Sequence, residues 1–171
     1  MLEGSVLERE ALEPRRTRMV MAAHMSPSWT RRAVIGFGAG FVTVLTFFQL
    51  GLLLLYALGA VSDPPPDMTP TRPFGVPSVL SGAFFGGLWG ILFALLEPRF
   101  PRGVGYWITS LLYGAVILDL GLWFVVAPLK GFSLGFGFEP RDVAIAVFLQ
   151  GVWGIGMGIL YRLVVPSTPR G

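Results

Sequence analysis

The chain contains no cysteine and only one histidine among its 171 residues. The first absence excludes disulfides, thiolate-bound zinc and cysteine-ligated iron–sulfur clusters. The second leaves His24 as the sole imidazole, ahead of every apolar run. Neither a haem held between two histidines nor a Ser-His-Asp arrangement inside those runs is then available from one chain. HExxH and P-loop patterns are missing as well. GFGAG at Gly36–Gly40 has the look of a dinucleotide loop, but no strand precedes it and it lies inside an apolar stretch. Charge is equally scarce: 13% of residues are charged against 53% hydrophobic, with a mean hydropathy of +0.67. A water-soluble globule of this length is not built from that composition. No cofactor, no bound metal, no nucleic-acid partner and no enzymatic activity are expected.

The abundant feature is uninterrupted apolar sequence. Four runs, about 33–61, 77–96, 105–127 and 143–165, are almost free of charge. Each reaches or approaches the ~20 residues that carry a helix across ~30 Å of hydrocarbon. They are apolar around nearly the whole helical circumference, whereas a soluble helix keeps a polar outer face. The fold class expected is therefore all-α, an integral-membrane bundle of four helices with the lipid bilayer as its main partner. The first run is too long for a cleaved signal peptide and has no small-residue cleavage site after it.

Basic residues set the orientation. Arg9, Arg15, Arg16, Arg18, Arg31, Arg32, Arg99, Arg102, Arg162 and Arg170 fall on one side, and only Arg72, Lys130 and Arg141 on the other. The positive-inside rule then puts both termini in the cytoplasm of a bacterial inner-membrane protein. The link 97–103 carries two prolines and is short enough to make spans 2 and 3 antiparallel neighbours. The first outer loop, with three consecutive prolines at 64–66, reads as stiff and extended. The second, rich in Gly, Phe and Leu, reads as interfacial. Residues 1–30, with four Glu and four Arg before residue 19 and no apolar face, read as a disordered cytoplasmic segment. Met19, Met21 and Met25 make a later start codon the alternative reading of that segment.

The chain also repeats itself. Residues 74–96 and 138–160, aligned without gaps, share eight of 23 positions, among them Trp89/Trp153, Gly87/Gly151 and Gly90/Gly154. About two matches are expected from apolar composition alone. The repeat implies two parallel copies of a transmembrane hairpin, repeat 1 at about 33–97 and repeat 2 at about 105–164. Small residues at four-residue spacing let backbones approach where lipid supplies no hydrophobic drive. Span 2 carries Gly82, Gly86, Gly90 and Ala94 on one stripe, and span 4 carries Ala146, Gln150, Gly154 and Gly158 at the matching positions. The simplest geometry brings spans 2 and 4 together along those stripes. Trp89 and Trp153, at equivalent positions beside them, are expected to fill space next to glycine and bond their indole N–H groups, with ligand stacking as the alternative.

A polar layer supplies the functional lead. Gln49, Asp119 and Gln150 each lie about three-fifths of the way across their spans, and Asp119 is the only acid inside a span. A lipid-exposed carboxylate there costs about 2.5 to 3.5 kcal/mol, so it should face the bundle. One reading is an interhelical hydrogen-bond clamp, with the two glutamines supplying donors and Gly86 leaving room beside them. The other is a proton or cation site. Thr43, Thr46, Ser110 and Tyr113 are expected to bond helix backbone.

The segments RRAVIGFGAGFVTVLTFFQ, RPFGVPSVLSGAFFGGLWGILF, RFPRGVGYW, FVVAPLKG and GVWGIGMGIL resemble a family of small, uncharacterised bacterial integral-membrane proteins with four spans. The resemblance covers about residues 31–163 and implies a topology without an activity. The family pattern has TFHQ where this chain has Phe48, and it has no acid at the position of Asp119. The resemblance thus implies no metal or proton role at residue 48 and makes Asp119 particular to this protein. The function expected is that of a non-enzymatic accessory or small structural subunit, in a homo-oligomer or a larger membrane complex. A small transporter or channel coupled through Asp119, also oligomeric, is the alternative. A lipid-binding module or intramembrane enzyme is a third reading.

Overall fold

Helices form where the apolar runs lie, because in hydrocarbon each backbone N–H and C=O must be satisfied within its own segment. The computed structural model describes residues 29–71, 74–129, 131 and 133–165. It contains four helices long and apolar enough to cross a membrane: α1 (Trp29–Ala57), α2 (Ser78–Arg99), α3 (Val104–Val126) and α4 (Pro140–Val164). Only 28–39% of the most apolar stretch of each helix is buried. The remainder, including Leu53, Phe84, Ile117 and Phe124, points outward. Apolar surface of that extent on every helix calls for lipid around it. The expected disorder of residues 1–30 falls almost wholly outside the described residues, although Trp29 and Thr30 are already helical.

The helix ends follow local chemistry. α1 stops before residue 61 because Gly59 takes a left-handed conformation (φ +71°) and the Ala60 N–H turns back 2.8 Å to the Leu55 carbonyl. α4 starts with Pro140 in its first turn and Asp142 near the positive end of its dipole. Beyond α1 the proline-rich loop does more than extend. Pro70–Thr71 (β1) and Val76–Pro77 (β2) pair as a short antiparallel ribbon, and the Thr71 hydroxyl donates to the Val76 carbonyl at 2.7 Å. In the same loop the Asp67 carboxylate accepts the Thr69 N–H at 2.9 Å. The Thr69 side chain and N–H, with the Ser78 hydroxyl, hold that carboxyl below its ordinary pKa. In the other loop Phe138 packs edge-on against Trp123, ring centroids 5.6 Å apart.

The glycine stripes pack differently from the sequence expectation. They do not face one another. Gly86 and Gly90 of α2 lie directly on Gly40 and Gly36 of α1, backbone against backbone. Gln150 and Gly154 of α4 lie in the same way on Gly114 and Ser110 of α3. Phe37 covers Gly87 in the first hairpin, and Leu111 covers Gly151 in the second. The reason is that α1 and α3 carry small residues at matching four-residue spacing, so each stripe meets its complement on the helix adjoining it in sequence. Gly82, at the loop end of its stripe, touches only Val44 of α1.

The two hairpins then join along two seams. Between α1 and α4, Gly51 rests on Leu149 and Val152, and Phe47 lies over Gly156. The Trp153 indole N–H is 3.4 Å from the Gly40 carbonyl. Between α2 and α3, the Trp89 ring covers Gly121 and the Tyr113 hydroxyl donates to the Trp89 carbonyl at 2.9 Å. α2 and α4 approach each other where Trp153 stands beside Gly86. Phe93, Tyr106, Tyr113, Trp153, Met157 and Tyr161 form the buried centre. At the terminal end of the bundle the Arg162 guanidinium lies 3.2 Å over the Tyr106 ring, and Arg32 faces Glu97 at 3.7 Å.

Substituting leucine for Gly40 or Gly154 forces a side chain into backbone, and overpacking of this kind costs about 1–3 kcal/mol or more. A methyl group added at Gly38 of α1 would meet no atom within 4 Å. Thermal unfolding in mild detergent, followed by gel filtration, is expected to show Gly40→Leu and Gly154→Leu losing the monodisperse species at clearly lower temperature, with Gly38→Leu unchanged.

Candidate intramembrane polar site

Three widened, π-type turns interrupt the helices at Val44–Phe48 in α1 and at Tyr113–Leu118 and Leu122–Val126 in α3. Such turns add a residue to the helical circuit and so rotate the residues that come after them. Gln49 stands immediately after the first of them and Asp119 immediately after the second. No propensity argument predicts them from this sequence, since Val, Leu, Phe and Ile fit an ordinary helix in lipid.

The three polar residues of the layer are not hydrogen-bonded to one another. Gln49 turns its amide N–H back across the widened turn to the Val44 carbonyl at 3.3 Å, and its own amide oxygen is buried without a partner. Asp119 is 1% exposed, in the turn Asp119–Gly121 that packs on α4. Among the described residues neither of its carboxyl oxygens has a hydrogen-bond partner. The Gln150 backbone carbonyl lies against Gly114, and the residue is one of those that line a cavity.

That cavity has a volume of about 290 Å³ and sits in the half of the bundle nearest the loops. Phe48, Phe85, Trp89 and Trp153 are its aromatic lining residues, and Thr71, Ser78, Ser81 and Gln150 its polar ones. Gly86, the sequence counterpart of Gln150, also borders it, but the room expected beside that glycine is taken by Val44, Gly40 and Trp153.

Other polar side chains of the spans reach backbone carbonyls. Thr43 bonds Ala39 at 2.7 Å and Thr46 bonds Val42 at 2.8 Å, each within its own helix. Tyr113 crosses to another helix, and Tyr106 reaches the Gly158 carbonyl of α4 at 3.0 Å. Ser110 differs: its hydroxyl is buried beside Gly158 and Tyr106 and reaches no backbone carbonyl among the described residues. The sequence singles out neither the interhelical tyrosine bonds nor the phenylalanine walls, because Tyr and Phe are ordinary membrane-helix residues. Among the described residues no three His, Cys, Asp or Glu side chains gather as a metal site would require. No protein-family model, curated protein or solved structure matches this chain.

A buried acid lacking donors loses the hydration of its polar atoms with nothing in return, at about 1–3 kcal/mol. Asp119→Leu is therefore expected to raise the unfolding midpoint in detergent, and Asp119→Asn to leave it nearly unchanged. A fall in the midpoint for Asp119→Leu would reveal a bonding partner for the carboxyl.

Proposed function

We propose that the protein is a multi-pass component of the bacterial inner membrane, with both termini cytoplasmic, that acts as a non-enzymatic accessory or small structural subunit. The orientation rests on the ten basic residues grouped at the terminal side of the spans. Membership of the small four-span family is part of the same reading, resting on the sequence segments that resemble it.

The observation that carries the subunit role is how the polar side chains of the spans are used. Thr43, Thr46, Gln49, Tyr106, Tyr113 and Trp153 all donate to backbone carbonyls. The bonds of Tyr106, Tyr113 and Trp153 cross between helices and hold them in register, while those of Thr43, Thr46 and Gln49 stay within α1. These groups are then withheld from proton transfer or attack on a substrate.

The two hairpins are read as parallel copies of one unit. Four contacts support this: Gly36–Gly90, Gly36–Ala94, Gly40–Gly86 and Phe37–Gly87 in the first hairpin correspond to Ser110–Gly154, Ser110–Gly158, Gly114–Gln150 and Leu111–Gly151 in the second. The residue shift is the same within each helix, 74 for the first and 64 for the second. A pseudo-twofold axis along the membrane normal also accounts for the two seams, since it carries α1–α4 onto α3–α2.

The transporter reading draws on one fact, the pair of unpartnered Asp119 oxygens. An isolated intramembrane acid is where a proton or cation binds in many membrane proteins. Extraction from native membranes in mild detergent is expected to yield a stoichiometric homo-oligomer or larger complex. Proteoliposomes of the purified protein are expected to carry no proton flux. A pH-driven flux that disappears in Asp119→Asn would replace the subunit role with transport.

A further inference from the structure

The two seams between the hairpins are unequal in the half of the bundle nearest the loops. Along α1–α4 that half is filled, with Gly51 against Leu149 and Val152. Along α2–α3 the same half holds the 290 Å³ cavity, between Ser81, Gly82 and Phe85 on one side and Leu118, Leu122 and Val126 on the other. On the two-hairpin reading, which this inference takes as its premise, one seam of an otherwise repeated structure has been left open. Gly82 and Phe85 of its lining are exposed on the side of α2, and Thr71 and Ser78 continue the lining to the loop end.

We infer that this cavity binds a lipophilic ring bearing oxygen acceptors, of the quinone or quinol class, whose aliphatic tail leaves between α2 and α3. Size comes first: the volume stands at the lower end of ligand sites, roughly 300 to 1,000 Å³, room for one substituted ring and not for a whole phospholipid. Shape comes second. Phe48, Trp89 and Trp153 line the cavity, and aromatic rings of this kind take a second ring offset or edge-on.

Polarity comes third. Among the described residues the lining contains no charged side chain to compensate an ionic head group for lost hydration. Gln150 does offer a neutral amide, and none of the hydrogen bonds within the described residues uses it. A ring carbonyl or hydroxyl oxygen satisfies that amide, whereas a plain acyl chain leaves it dry and unpaired. The Trp153 indole, by contrast, is already bonded to Gly40 and serves as wall. Gly82 lacks a side chain where the tail would pass, and among the described residues of other elements only Val44 comes within 4 Å of where its Cβ would be.

The test uses the full chain in lipid nanodiscs and a decyl-substituted dimethoxybenzoquinone as probe, read by quenching of tryptophan fluorescence, to which Trp89 and Trp153 are the nearest reporters. Saturable quenching is expected for the unaltered protein. It should vanish in Gly82→Phe, which fills the opening, and weaken about tenfold in Gln150→Leu, which removes one hydrogen bond from a dry site. Gly38→Phe, on a lipid-facing position of α1, should bind as the unaltered protein does. Leu122→Trp blocks the cavity from the opposite wall and replaces Gly82→Phe should that variant fail to give a monodisperse protein. Quenching that rises without saturation, or that saturates alike in all variants, overturns the inference. So does displacement of the quinone by decanol at equal concentration, which would make the cavity a site for alkyl chains. None of these binding results depends on the subunit role, which the flux and complex measurements decide separately.

Discussion

The structure depends on backbone lying against backbone inside each hairpin. In lipid an apolar side chain gains nothing by leaving one hydrocarbon surface for another, so helices are held by dispersion at short range and by hydrogen bonds. Gly36, Gly40, Gly86 and Gly90 remove the side chains that would hold α1 and α2 apart. Ser110, Gly114, Gln150 and Gly154 bring α3 and α4 equally close. With each hairpin fixed, larger residues such as Phe47, Trp89 and Trp153 fill the space between the hairpins. Every polar feature of the bundle takes its position from that arrangement.

The departures from regularity are concentrated where the hairpins meet. Two of the three widened turns lie in α3, and they place Asp119 in the single ordinary turn between them. Tyr113, inside the first of those turns, reaches across to the Trp89 carbonyl and ties the hairpins at mid-span. On the terminal side of that tie the core is filled by Phe93, Tyr106, Met157 and Tyr161, and on the loop side of it the cavity opens. Structural order and free space thus divide at one tyrosine.

Much of this is legible in the sequence, for reasons that differ by feature. Length and hydropathy locate all four helices to within a few residues, because the bilayer imposes one length on anything that crosses it. The apolar run overshoots the end of α1, since Ala60 and Val61 are apolar and only the backbone of Gly59 ends the helix. The glycine stripes stand out, but the repeat points to the wrong partners for them: it identifies equivalent faces without saying which surface each one meets. The spacing of Gly36 and Gly40 carries the answer, because it matches the α2 stripe. That Asp119 faces the bundle is legible, because a carboxylate is costly against lipid, and it is indeed buried. That it and Gln49 find no bond to each other or to Gln150 is not, because the widened turns rotate both by a residue that no composition rule counts. The cavity walls are equally hidden: a phenylalanine facing a cavity and one facing lipid have the same sequence context.

The absence of cysteine makes the central claim directly measurable by pairwise disulfide formation in native membranes. A methyl at Gly151 stands 3.7 Å from the Cβ of Ala115, within the usual spacing for a disulfide. The Ala115→Cys/Gly151→Cys double variant is expected to crosslink rapidly under mild oxidation, because the face of α4 that carries Gly151 and Gly154 packs on α3. Gly82→Cys/Ala146→Cys, which joins equivalent positions of the two stripes, is expected to stay reduced. Crosslinking of the second pair in preference to the first would contradict the account, since α2 and α4 would then be packed stripe to stripe.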